Sequence, residues 1–293
     1  MVLESPTQSF NRLKVRGLAL AFLVISIGLG VILGIINPQL ASPKNALFVP
    51  TVYILVMTLV CLWVLQRCHH TRIDLKRIVG QLPERVQWLR LVGLVLAIIL
   101  FSIGSFLISF YGLSFIAPSF VEATLNDESL AVRTTAPALQ NLLMFLSMII
   151  VAPITEEFLF RGIIMHRWAE KWGIFSSLIV SSIVFGFLHP NVIGLSMFGL
   201  VMGLLYIKTR TLLVPIFCHT LNNLIAFGMT TLSSLNNANS FSTEKLHSDW
   251  WVGIVMVTIS LPFLLQFILK NFPNQQTPMP YFQAGRQTRS RRT

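Results

Sequence analysis

Charged residues make up only 11% of this 293-residue sequence, where soluble domains carry about 25%. Apolar residues make up 54%, and the mean hydropathy is +0.71. A soluble fold of this length cannot hide so much apolar surface, so lipid must be the solvent for much of it. Disordered and collagen-like classes are excluded by the same figures. Cysteine is nearly absent. Cys61, Cys68 and Cys218 are too few and too scattered for a disulfide framework, and no CxxC occurs. Acid is scarce as well: 11 acidic residues against 22 basic ones give a formal charge of +11 and a pI of about 10.2. No basic face or groove-reading module accompanies that excess, so nucleic acid is not an expected partner. The HExxH zinc signature is missing too.

What is present is a series of apolar segments, near residues 17–36, 46–65, 91–116, 138–160, 173–189, 192–208, 211–231 and 250–269. Most are long enough to cross a hydrocarbon core as helices, for which about 20 residues suffice. Barrel strands would be near ten residues and alternating. The expected fold is all-α: one polytopic membrane domain over 1–293 with about eight transmembrane helices, the first a retained signal anchor. Residues 66–90, basic with an apolar stripe at Ile73, Ile78 and Leu82, read as a cytoplasmic interfacial segment. Residues 272–293, rich in Gln, Pro and Arg, read as a disordered basic tail able to touch anionic lipid. The pairs Gly30/Gly34 and Gly199/Gly203 fit GxxxG, a motif that lets membrane helices pack closely.

The basic residues also orient the chain. If the N-terminus is cytoplasmic, 19 Lys and Arg fall inside and only Lys44, Arg133 and Lys245 fall outside. The positive-inside rule then places both termini in the cytoplasm. The six tryptophans, at or near segment ends, fit the interfacial belts.

Ionisable groups inside a membrane are costly, so the few present are informative. The fourth segment ends in Thr155-Glu156-Glu157-Phe158-Leu159-Phe160-Arg161, the fifth ends in Phe185-Gly186-Phe187-Leu188-His189, and the seventh holds His219-Thr220-Leu221-Asn222-Asn223. On a helix Glu157 and Arg161 are i, i+4 with the acid first, the favourable order for a pair. Glu156 points about 100° away and is left without a local counter-charge, free for proton transfer. His219 and Asn223 share a helical face, from which an imidazole and an amide can both donate to a developing oxyanion. Glu156 and His189 come level if the chain turns back near Trp172-Gly173, and Pro153 is a candidate kink. A buried histidine can also be only a hydrogen-bonded interior group; three polar clusters on neighbouring spans favour a site.

EEFLFR fits EExxxR, FGFLH fits FxxxH and HTLNN fits HxxxN. In this order, and in membrane spans, the sequence resembles the CPBP family of CAAX proteases and bacteriocin-processing enzymes, the type II CAAX prenyl endopeptidase-like or Abi group. The likeness covers about residues 138–230. It implies an eight-helix intramembrane endopeptidase in which Glu156 activates water with help from His189, His219 and Asn223 form the oxyanion hole, and Glu157 and Arg161 complete the first motif. The expected partners are membrane lipid and a peptide or lipidated protein substrate, of which a prenylated CaaX C-terminus is one kind, in a plasma or internal, thylakoid-type membrane. No cofactor is favoured. Zinc on Glu156, His189 and His219 is the alternative, since two histidines and a carboxylate can hold that ion with an open position. The rival functions are a proton-coupled membrane transporter, because intramembrane Glu and His also relay protons, and a non-catalytic membrane scaffold or immunity protein.

Overall fold

A backbone in lipid must satisfy its own hydrogen bonds, and an apolar chain without closed strands does so as helix. The computed structural model describes residues 10–38, 45–125, 137–235 and 242–282, and every regular element among them is helical. In chain order they are α1 (Val15–Ile36), α2 (Phe48–His70), α3 (Leu75–Val79), α4 (Trp88–Ser114) and α5 (Pro118–Leu125). A long helical run follows, made of α6 (Pro137–Phe145), a π turn (Leu146–Val151), α7 (Ala152–Glu157), a second π turn (Phe158–Ile164) and α8 (Met165–Phe187). The order ends with α9 (Val192–Thr209), α10 (Leu213–Leu235) and α11 (Thr243–Asn271).

Seven helical runs among the described residues are long and apolar enough to cross a membrane, and the chain is an all-α polytopic membrane protein. One of the seven, Pro137–Phe187, has 51 residues, which at about 1.5 Å per residue far exceeds a bilayer core of about 30 Å. It is two arms. Gly173 breaks it with φ 80° and ψ 167°, a left-handed backbone that only glycine adopts without steric cost. Beyond Gly173 the chain returns: the Phe160 and Phe185 rings meet edge to face at 5.1 Å, and the Arg161 guanidinium lies 4.8 Å from the Phe185 ring centre. Counting the arms separately gives eight apolar helical arms among the described residues, the number of apolar segments in the sequence.

Helix α9 is the most enclosed span, with Tyr206, Met202, Leu204 and Leu205 fully buried. Two of its glycines permit that closeness. A Cβ at Gly199 would stand 3.0 Å from Ser182 Cα, and one at Gly203 would strike Leu178. The other GxxxG pair does nothing comparable, because Gly30 and Gly34 face no atom within 4 Å of a built Cβ. Helix α1 instead shows Leu20, Leu23, Val24 and Ile27 on its surface.

Two expected regions are placed differently. The stripe of residues 66–90 does not lie on a surface: α2 runs on to His70, and Ile73 and Ile78 are buried in the main core, with only Leu82 exposed. Ile78 reaches the second π turn, where a Cβ on Gly162 would meet its side chain. The apolar residues of this segment therefore pack on protein. The region read as a disordered tail from 272 is packed as far as residue 282, with Met279 and Tyr281 buried. Aromatic side chains explain this, since Tyr281 stands 5.0 Å from the Phe10 ring. Residues 283–293, together with Lys44 and Arg133 from the orientation count, lie outside the described residues.

Candidate active site

Glu156 and Glu157 stand on the single α turn between the two π turns. The first π turn has a cause in the sequence. Pro153 has no N–H to offer the carbonyl four residues back, which is that of Ile149, and Thr220 Oγ1 donates to this oxygen from α10 at 3.3 Å. Asn223 Nδ2, one turn further on, donates to Met148 O at 2.8 Å. In the second π turn His166 Nδ1 lies 3.0 Å from Arg161 O. π segments recur at functional sites because they re-aim side chains relative to a regular helix. Here polar side chains take carbonyl oxygens of both.

The two glutamates have separate surroundings. Glu157 is fully buried. Arg161 Nη1 donates to its Oε1 at 3.0 Å, and Arg161 Nη2 donates to Gly199 O at 3.0 Å. His219 Nδ1 donates to the same Glu157 Oε1 at 2.9 Å. A buried charge of either sign needs such a partner. Because Glu157 accepts the Nδ1–H hydrogen bond, His219 presents Nε2 to the site.

Glu156 is partly exposed. Tyr53, on α2, donates from Oη to Glu156 Oε1 at 2.6 Å. Its other oxygen, Oε2, has no hydrogen-bond partner and lies 3.9 Å from His219 Nε2, beyond hydrogen-bond length. The carboxylate and the imidazole thus converge without bonding each other. Tyr53 is absent from the motifs. The signal available in the sequence was a hydroxyl-bearing ring well inside an apolar span, a setting in which a buried Tyr O–H needs an acceptor.

The remaining expected residues are placed as follows. His189 Nδ1 donates to Phe185 O at 2.8 Å, leaving Nε2 available. Its ring lies 4.8 Å from that of Phe185, and the His219 ring is 6.2 Å from the same Phe185. Both histidines therefore contact one aromatic ring. Asn223 spends a donor on Met148 O and accepts from Asn222 Nδ2 at 3.1 Å. Among the described residues no three His, Cys, Asp or Glu side chains are placed together to hold a metal ion. Glu156 and His219 come together, and His189 does not complete a three-ligand set with them.

Residues 138–225 match the family model described as Rce1-like, type II CAAX prenyl endopeptidase Rce1-like. The match covers 88 of the 293 residues. The matched stretch contains Glu156, Glu157, Arg161, His189, His219 and Asn223; Tyr53, which bonds Glu156, lies outside it. A protein of Bacillus subtilis (strain 168), described as "Putative membrane peptidase YdiL", is 37% identical over 84 residues, which is 28% of this chain and 34% of that relative. The match therefore spans about a third of the relative's length. No solved structure matches.

Proposed function

We propose that the chain is an intramembrane endopeptidase that hydrolyses peptide bonds of membrane-associated peptides with a glutamate-activated water and no resident metal. The observation that carries this reading is the convergence of an unbonded Glu156 oxygen and His219 Nε2 at 3.9 Å. Glu156 Oε2 takes a proton from water as the water oxygen adds to the scissile carbonyl carbon. His219 acts in its doubly protonated form: Nδ1–H stays on Glu157 and fixes the ring's orientation, and Nε2–H donates to the developing oxyanion. Asn223 completes the oxyanion hole with its remaining amide hydrogen and keeps the first π turn in place through Met148 O. As the C–N bond breaks, the proton held by Glu156 passes to the leaving amine. His189, held by Phe185 O through Nδ1, assists through its available Nε2. Tyr53 donates to the Glu156 oxygen that does not take the proton and so aims Oε2.

The substrate class in this proposal is a peptide or lipidated protein in a plasma or internal membrane, with prenylated CaaX-type tails as one candidate. The family name and the printed description of the relative support it. Both termini are assigned to the cytoplasm from the distribution of Lys and Arg. The test is cleavage of membrane-anchored peptides, prenylated and not, by purified protein in detergent. Wild type and Glu156→Gln are compared with and without chelator and zinc. Cleavage by wild type alone, indifferent to chelator, is the expected result. Equal cleavage by the variant overturns the glutamate mechanism, and loss to chelator with rescue by zinc overturns the metal-free one.

A further inference from the structure

We propose that Asn191 is a positioning residue for the reaction: it holds His189 in place by pinning the turn between α8 and α9 to α4. This role rests on the part proposed for His189 above.

The turn is short, residues 188–191, and His189 sits inside it. On one side the histidine is tied to the end of α8. Its backbone N–H donates to Gly186 O at 3.0 Å, and its ring Nδ1 donates to Phe185 O at 2.8 Å. Those bonds fix the imidazole relative to α8. They do not fix where the turn stands against the rest of the bundle. Asn191 supplies that tie. Its Nδ2 donates to Ser102 O at 2.8 Å and to Ser102 Oγ at 2.9 Å, both on α4. Its Oδ1 accepts from the Gly194 N–H at 3.1 Å and so caps α9.

The partners determine which way this amide points, since Ser102 O can only accept and the Gly194 N–H can only donate. Gly194 makes room for it. A Cβ there would stand 2.5 Å from Asn191 Nδ2 and 2.5 Å from Ser102 Oγ. A cap needs only the side-chain oxygen, so the nitrogen is spent on α4. Pro190 separates the two residues, and its ring locks φ, so a shift of Asn191 passes to His189 with little slack. Behind the turn α8 and α9 are already in contact, because a Cβ on Gly186 would strike Ser196 and Val192 O. Release of the grip on α4 therefore moves the turn as a unit.

The test uses the full chain in detergent. Asn191→Ser keeps a capping oxygen and loses the reach to Ser102. Asn191→Asp, of the same shape but without the donor, is the second variant and is expected to behave alike. Carbethoxylation by diethylpyrocarbonate, read by peptide mass spectrometry, reports on His189 without any substrate. His189 is expected to react several-fold faster in the variants, while His247, exposed on α11, reacts as before and the melting temperature stays near that of wild type. The kcat for peptide cleavage is expected to fall by about tenfold at nearly constant KM. In a His189→Ala background the same substitution is expected to change the residual kcat by less than about twofold, because no imidazole is left to move. An unchanged labelling rate at His189, or equal kcat losses in both backgrounds, overturns the positioning role. Faster labelling at His189 together with wild-type cleavage by His189→Ala keeps the placement by Asn191 and overturns the part given to His189 in the reaction.

Discussion

Tyr53 Oη and Glu156 Oε1 are 2.6 Å apart although 103 positions separate them in the chain. The bond ties α2 to the turn that carries both glutamates and leaves Glu156 one oxygen for chemistry. A hydrogen bond to a charged group contributes about 1.5–3 kcal/mol. If most of that is expressed in the transition state, Tyr53→Phe lowers kcat by about ten- to a hundredfold. The expected signature is a kcat loss at nearly constant KM with an unchanged melting temperature. A variant that cleaves at the wild-type rate shows that Glu156 needs no such aim.

The adjacent acids are expected to fail in opposite ways. Glu156→Gln keeps the shape of a largely buried side chain and removes the base, so cleavage falls by about a hundred- to ten-thousandfold while the fold persists. Glu157→Gln leaves Arg161 buried beside a neutral amide. Breaking a buried pair from one side costs about 3–5 kcal/mol, read as a large drop in melting temperature. Thermal melts and activity measured on both variants check the contrast.

Asn223→Ala removes a donor from Met148 O, and a buried acceptor left unpaired costs about 1–3 kcal/mol. A few degrees of lost melting temperature are therefore expected, together with the kinetic loss that an oxyanion donor entails. Asn223→Gln restores amide chemistry at a different reach. Recovery of stability without activity in that variant separates the tie to the π turn from the oxyanion role.

Gly186→Ala tests the turn that delivers His189. A Cβ there collides with Ser196 and with the Val192 carbonyl of α9, so α8 and α9 must separate. Overpacking of this kind costs about 1–3 kcal/mol. The expected outcome is a lower melting temperature with reduced cleavage, whereas Gly34→Ala, which meets no atom within 4 Å, changes neither.

Part of this arrangement was legible beforehand, and each success rests on short-range geometry. The Glu157–Arg161 pair follows from helical spacing, which π winding after Glu157 does not disturb because the guanidinium is long enough to reach. The fold-back at Gly173 follows from the 33 residues between Glu156 and His189 and from the single glycine near their midpoint. Tyr53 was not legible, because an apolar span gives no sign of which distant carboxylate its one hydroxyl will meet. The contacts of Thr220 and Asn223 with the first π turn were hidden for a related reason: periodicity reports the faces of regular helices and says nothing of where a carbonyl is freed. That Ile73 and Ile78 pack on protein is not legible either, because an amphipathic face does not reveal whether lipid or protein covers it.

His166 is used on both sides: Nδ1 lies against Arg161 O, and the Tyr281 backbone N–H donates to Nε2 at 3.4 Å. Phe10 stacks on the same imidazole at 5.1 Å. The segment that braces the glutamate arm is thus translated 115 residues after the histidine it grips, while Phe10 is made long before either. During biosynthesis the acids, the histidines and the spans that carry them can all be inserted before this brace exists. Completion of this brace is therefore a late event of assembly, after the helices that carry the acids and the histidines have been made.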